Sequence, residues 1–166
     1  MTSTIGSLIT GQLIQLIAGP KGVNYYLAGL IQVGGQRIDW LGASQVRAQN
    51  VAPDIADQSN AMQYPAVNVY CEKIVNNLAE KFRTFSGNAQ ATVEVRHSQD
   101  RLEGLQDGLE NYADAVMQVL NASRGDWGNG MFYGGEYQAV FGAVKHGGKN
   151  FMQVAKITFE IGVSRS

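Results

Sequence analysis

Apolar residues recur at gaps of three and four along the stretch Leu102, Leu105, Leu109, Tyr112, Val116 and Val119. On a helix of 3.6 residues per turn these positions form one stripe, so the spacing predicts a long amphipathic helix facing a core. Ser98 is placed to cap it and Asp100 to sit in its first turn, where the helix dipole favours negative charge. Arg124 and Gly125 follow its end. The period then changes to two. Met131, Tyr133, Tyr137, Ala139 and Phe141 share one parity; Phe151, Ala155, Ile157, Phe159, Ile161 and Val163 share a face, with Lys156, Thr158 and Glu160 between them. This alternation predicts half-buried antiparallel strands. They are joined through the polar connection Lys145-His146-Gly147-Gly148-Lys149.

The first half of the chain carries a second helical stripe, Ile5, Leu8, Ile9, Leu13, Leu16 and Ile17, stopped by Gly19-Pro20. Gly6 and Gly11 weaken this helix by about 1 kcal/mol each relative to alanine, so it needs tertiary or partner packing. Val23 to Gln32 forms a further helical piece, ended by Gly34-Gly35. From Gln36 to Met62 the signal fades to scattered Val46, Val51 and Ile55, read as loops with a short helix. Tyr64 to Cys71 is a strand, with Pro65 at its start, where a missing N–H is tolerated. Glu72 to Phe85 places Ile74, Val75, Leu78 and Phe82 at helical gaps and predicts a short helix or an irregular excursion. Ala91 to Arg96 is a strand with Val93 and Val95 inward and Thr92, Glu94 and Arg96 outward. The expected architecture is α+β: a four-stranded, mostly antiparallel sheet packed by the long helix and the N-terminal helix, in one domain spanning residues 1–166. Residues 20–63 read as a loop-rich insertion and 64–163 as the core.

Composition narrows the function classes. Charged residues make up 16% of the chain, below the roughly 25% usual in globular proteins, which points to a surface used for contacts. A net charge of −1 provides no global field to recruit nucleic acid. Cys71 is the single cysteine, so no intrachain disulfide and no cysteine-based metal site are expected; it reads as a buried thiol. The run Ile5 to Ala18 is too short and polar to span a bilayer and lacks the basic start of a signal peptide.

Candidate chemistry is thin. His97 precedes Asp100, but no nucleophile elbow accompanies the pair. His146-Gly147-Gly148-Lys149 lacks both Walker spacing and a following helix to hold a phosphate. The histidines are far apart in sequence and give no metal-ligand spacing. No catalytic residue, cofactor or metal is therefore expected. Arg124-Gly125-Asp126 spells an adhesion tripeptide too short to carry meaning. Trp127, inside the Gly-rich segment Gly125 to Gly135, is either a packing plug over the core or an anchor in a subunit contact.

Tyr-Pro-Ala-Val-Asn-Val-Tyr at 64–70, Val-Glu-Val-Arg-His-Ser at 93–98 leading into the long helix, Arg-Gly-Asp-Trp-Gly at 124–128 and the two closing strands together resemble the tail terminator (tail completion) proteins of long-tailed bacteriophages. The resemblance covers residues 64–163; residues 20–63 depart from it. It implies an α+β protomer that forms a ring, usually a hexamer. Such a ring caps the tail tube at the tail–neck junction of the virion and joins it to the head connector, after assembly in the host cytoplasm. Its partners would be copies of itself, the tube protein and the connector or another neck protein, with DNA passing through the lumen without sequence recognition and no membrane involved. The alternative within this class is another neck protein, a head-closure or connector-adaptor subunit; outside it stand a small hydrolase using His97 and a nucleic-acid-binding module. Candidate contact residues are Arg124, Asp126 and Trp127 in one loop and Lys145, His146 and Lys149 in the other. The second group faces an acidic partner or luminal DNA, unless both loops are simply solvated turns.

Overall fold

In the computed structural model, which describes residues 3–34, 38–52, 63–147 and 150–166, helices α1 (Ile5–Ala18) and α2 (Val23–Gly34) open the chain. A 3₁₀ turn (Ala43–Gln45) leads to strands β1 (Val46–Ala48), β2 (Ala66–Asn76) and β3 (Phe85–Gln99), followed by helix α3 (Leu105–Ala122). Five strands complete the chain: β4 (Gly125–Gly128), β5 (Met131–Tyr133), β6 (Gln138–Phe141), β7 (Lys145–Gly147) and β8 (Asn150–Arg165). The sheet runs β1-β2-β3-β8-β5-β4, and β6 and β7 also pair with β8. Its β1–β2 pair is parallel and the others are antiparallel, so the fold is α+β with a mixed sheet of eight strands among the described residues rather than four.

β3 and β8 are the spine, paired continuously from Phe85↔Arg165 to Gln99↔Phe151. Their alternating residues put Ala91, Val93, Val95, Ile157, Phe159 and Ile161 on one face, all buried. The helices cover that face. α3 contributes Leu105, Leu109, Tyr112, Val116 and Val119, all buried, as the apolar stripe requires. α1 lies on β1–β3 with Ile9, Leu13 and Ile17 inward, four residues apart. Thr4 caps α1 by accepting the Ser7 amide at 3.1 Å, satisfying a donor that the first turn leaves free. Gly6 faces Cys71, and burial pushes the Cys71 thiol pKa up. α2 packs on α3 and buries Val23 and Leu27.

Several sequence expectations are corrected. Ser98 is not a helix cap: it belongs to β3, and its hydroxyl donates to the Phe151 carbonyl at 3.0 Å. α3 therefore begins later, after Gly104 at φ 78°, with Asp107 rather than Asp100 in its first turn; Leu102 stays outside the stripe and is 58% exposed. Of the two readings of Glu72–Phe85, the short helix is absent and the excursion takes the form of a hairpin. A bulge between Cys71 and Lys73 lets β2 continue to Asn76, and a turn at 77–84 returns the chain into β3.

Glu94 and Arg96 point away from the helices but are buried, at 4% and 0% exposure. The chain after β1 crosses that face: Gln49 donates to the Asn68 side chain at 3.3 Å, and the Val51 carbonyl accepts from Arg96 Nη2. Residues 20–63 contain α2, the 3₁₀ turn and parallel strand β1, while Ile55 lies outside the described residues.

Candidate interaction surface

The two loops singled out in the sequence lie at opposite ends of β8. β5 pairs Phe132 with Gly162 and carries β4 beyond it, whereas β7 pairs His146 with Phe151. Those registers place the loops roughly 35 Å apart along the strand. Arg124 and Asp126 are exposed, and neither takes part in an ion pair among the described residues. Asp126 accepts the Gly128 amide at 2.8 Å and so fixes the β4–β5 turn. Trp127 packs downward: its indole donates to the Ser123 carbonyl at 2.8 Å, and its ring centre lies 5.6 Å from that of Tyr133 and 6.4 Å from that of Phe159. Of its two sequence readings, the geometry favours the packing plug. Lys145 and His146 are exposed on β7, with the imidazole edge-on to Phe151 at 5.3 Å. Gly148 and Lys149 lie outside the described residues.

A surface that sequence reasoning missed sits at the β4–β5 end of the molecule. The β2–β3 hairpin projects there, since Asn88 of β3 pairs with Gly162 of β8, which in turn pairs with Phe132. Its tip displays Ile74, Val75, Leu78 and Phe82 at 48%, 40%, 62% and 100% exposure. The tip is nevertheless pinned. The Asn76 carboxamide accepts from the Ser86 amide at 3.0 Å and donates to the Thr84 carbonyl at 3.1 Å. The Ser86 hydroxyl accepts the Glu80 amide at 2.8 Å, and the Ser164 hydroxyl donates to the Glu80 carboxylate at 2.7 Å. Leu78 and Phe82 adopt φ of 50° and 64°, a conformation uncommon outside glycine, asparagine and aspartate. Helical spacing of these four residues hid the feature; the available signal was the cluster of Asn and Ser around it, which favours turns. Beside it, among the described residues, β1 covers only Val67–Val69 of β2, leaving the edge of Tyr70–Asn76 open for strand pairing.

At the other end of β3 a cavity of about 530 Å³ opens between that strand and the first turns of α3. Ile38, Asp39, His97, Asp107, Asn111 and Tyr112 line it. Asp39 is held in place: its carbonyl accepts the Tyr112 hydroxyl at 2.8 Å, and Asn24 on α2 makes two 2.8 Å hydrogen bonds to the backbone of Leu41. The His97 ring lies 5.4 Å from that of Tyr112 and against Gly108, where a Cβ would come within 2.8 Å of Nε2. Burial lowers the His97 pKa, partly offset by Asp39, so the imidazole is neutral at pH 7 and answers to Asp39 rather than to Asp100. Its Nδ1 is buried without a hydrogen-bond partner among the described residues.

Among the described residues no group of three or more His, Cys, Asp or Glu is disposed to hold a metal ion, and no helix is long and apolar enough to cross a membrane. Compared with known proteins, the chain matches no protein-family model and no curated sequence.

Proposed function

We propose that the chain is a structural virion protein, a tail terminator whose copies form a ring that caps the tail tube of a long-tailed bacteriophage and joins it to the head connector. The observation that carries this reading is the ordered hairpin tip with Leu78 and Phe82 in solvent. Large apolar side chains held out on a pinned tip favour a protein that works by contact. The sequence resemblance supplies the kind of contact: its segments fall on β2, on β3 leading towards α3, and on β4, the elements that frame the α+β core. The edge of β2 from Tyr70 to Asn76, unpaired among the described residues, adds a second surface suited to subunit pairing. A contact between unlike surfaces of identical chains generates a closed ring when its rotation permits. In that ring the exposed Arg124, Asp126, Lys145 and His146 are candidate contacts with neighbouring subunits, the tube, the connector or luminal DNA.

The reading is tested by tube growth. Purified protein added in small amounts to its own virion's polymerising tube protein is expected to arrest elongation and leave tubes of defined length. Tubes that grow at an unchanged rate in its presence would contradict it.

A further inference from the structure

We infer that the hairpin tip of one copy docks in the cavity of the next, with Phe82 entering between α3 and β3 and Lys81 and Arg83 meeting Asp39 and Asp107. The inference rests on the ring reading and names its interface.

Phe82 is fully exposed, and Lys81 and Arg83 flank it. Lys81 has no ion pair among the described residues, and Arg83 has only an exposed pair with Glu80 at 3.6 Å, the kind that contributes little. The tip therefore presents an aromatic ring between two cations. The cavity is its complement. Ile38, Tyr112 and the neutral His97 imidazole form an apolar and aromatic wall, Asp39 and Asp107 supply two carboxylates, and among the described residues no lysine or arginine lines it. The Glu110 and Asp114 side chains extend the acidic face along α3, which contains no basic residue. Charge of opposite sign around an apolar anchor steers encounter and fixes register.

The tip cannot reach its own cavity. Phe85 begins β3 beside the tip and His97 lies near its far end, roughly 40 Å away along an extended strand. Two complementary surfaces at opposite ends of one rigid strand can meet only between copies, and repeated head to tail each copy gives its tip to one neighbour and its cavity to another. That is a heterologous contact, the type that builds rings or filaments. The hydrogen bonds within the tip hold it in shape before docking, which limits the ordering entropy that binding must offset.

The test is sedimentation of the full chain. At concentrations where the wild type assembles, Phe82→Ala and Asp107→Arg are each expected to remain monomeric with unchanged thermal transitions. Mixed one to one, they are expected to form a two-chain complex, because the Asp107→Arg copy keeps its tip and the Phe82→Ala copy keeps its cavity. In a Cys71→Ser background, Phe82→Cys with Asn111→Cys is expected to give a ladder of disulfide-linked oligomers on oxidation. Wild-type-like assembly of Phe82→Ala would overturn the interface while leaving the ring intact. Rings of Phe82→Ala that no longer bind tube protein would assign the tip to that partner instead. A mixture that stays monomeric would exclude tip-to-cavity docking, and a wild type monomeric at every concentration would remove the ring reading as well.

Discussion

The Arg96 guanidinium meets the Glu94 carboxylate at 2.9 Å on the sheet face turned away from the helices, with both side chains almost sealed from water. Lys156 adds a longer, half-exposed contact to Glu94 at 3.8 Å. A buried pair of this kind is costly to break from one side, because the remaining Glu94 charge keeps only the long, half-exposed Lys156 contact. Arg96→Ala is expected to lower stability by roughly 3–5 kcal/mol, measured by urea unfolding. The double variant Arg96→Met with Glu94→Leu is expected to lose much less. Equal losses in the two would show that packing, not charge, dominates the site.

The α3 stripe makes a second contrast. Leu109 is fully buried, so Leu109→Ala is expected to cost about 2–5 kcal/mol through the cavity it leaves. Leu102, read from spacing as part of the same stripe, is 58% exposed, and Leu102→Ala is expected to stay within about 0.5 kcal/mol. Thermal melts of the two variants compare them directly.

Trp127→Ala separates packing from contact. The ring rests on Tyr133 and Phe159 and is only partly covered, so the variant is expected to lose about 2 kcal/mol, less than the roughly 3–5 of a fully buried aromatic. An unchanged melting temperature accompanied by lost assembly would instead make Trp127 an interface anchor.

Buried titratable side chains, His97 and three tyrosines among them, shape the pH response. The folded-state pKa of His97 lies below its usual 6.5 because the ring is buried. As pH falls below about 6.5 the unfolded chain takes up a proton that the native state resists, so stability falls with acidification, and His97→Gln is expected to flatten that slope. Burial raises Tyr70, Tyr112 and Tyr133 to about 12, with Glu94, Asp39 and Tyr137 adding to the respective shifts. The native state holds these protons after the unfolded chain has lost them, so stability declines as pH rises past about 10. Ultraviolet titration is expected to show Tyr70, Tyr112 and Tyr133 ionising late or only on unfolding. Ionisation of every tyrosine near pH 10 in the folded protein would contradict their burial.

How far the fold could be read from the sequence follows from what each element packs against. α1, α3 and β8 each bury one face against a single layer, so Ile9 and Leu13, Leu109 and Val116, and Ile157 and Ile161 keep the clean period that burial imposes. β1 is three residues long and pairs in parallel with a distant strand, which leaves too few positions for a period to emerge. Glu94 and Arg96 look solvent-facing because strand alternation alone cannot register the segment around Val51 that covers them. Ile74, Val75, Leu78 and Phe82 have helical gaps by coincidence: a bulge and a turn set their positions, and four residues cannot distinguish a helix face from a hairpin tip. Of the proposed contact residues, Arg124 and Lys145 are exposed, and pairing with β8 was needed to show that their loops occupy opposite poles. The cavity at His97 joins residues from three separate segments, 38–39, 97–99 and 104–112, a proximity that no local pattern encodes.

We propose that copies of this chain close into a ring that seats on a tail tube, and electron microscopy of the purified protein, alone and mixed with tail-tube protein, puts this to the test. The expected images show annular particles with an open lumen and, in the mixture, an added layer of density at one end of each tube. Isolated monomers together with tubes whose ends are bare would contradict the claim.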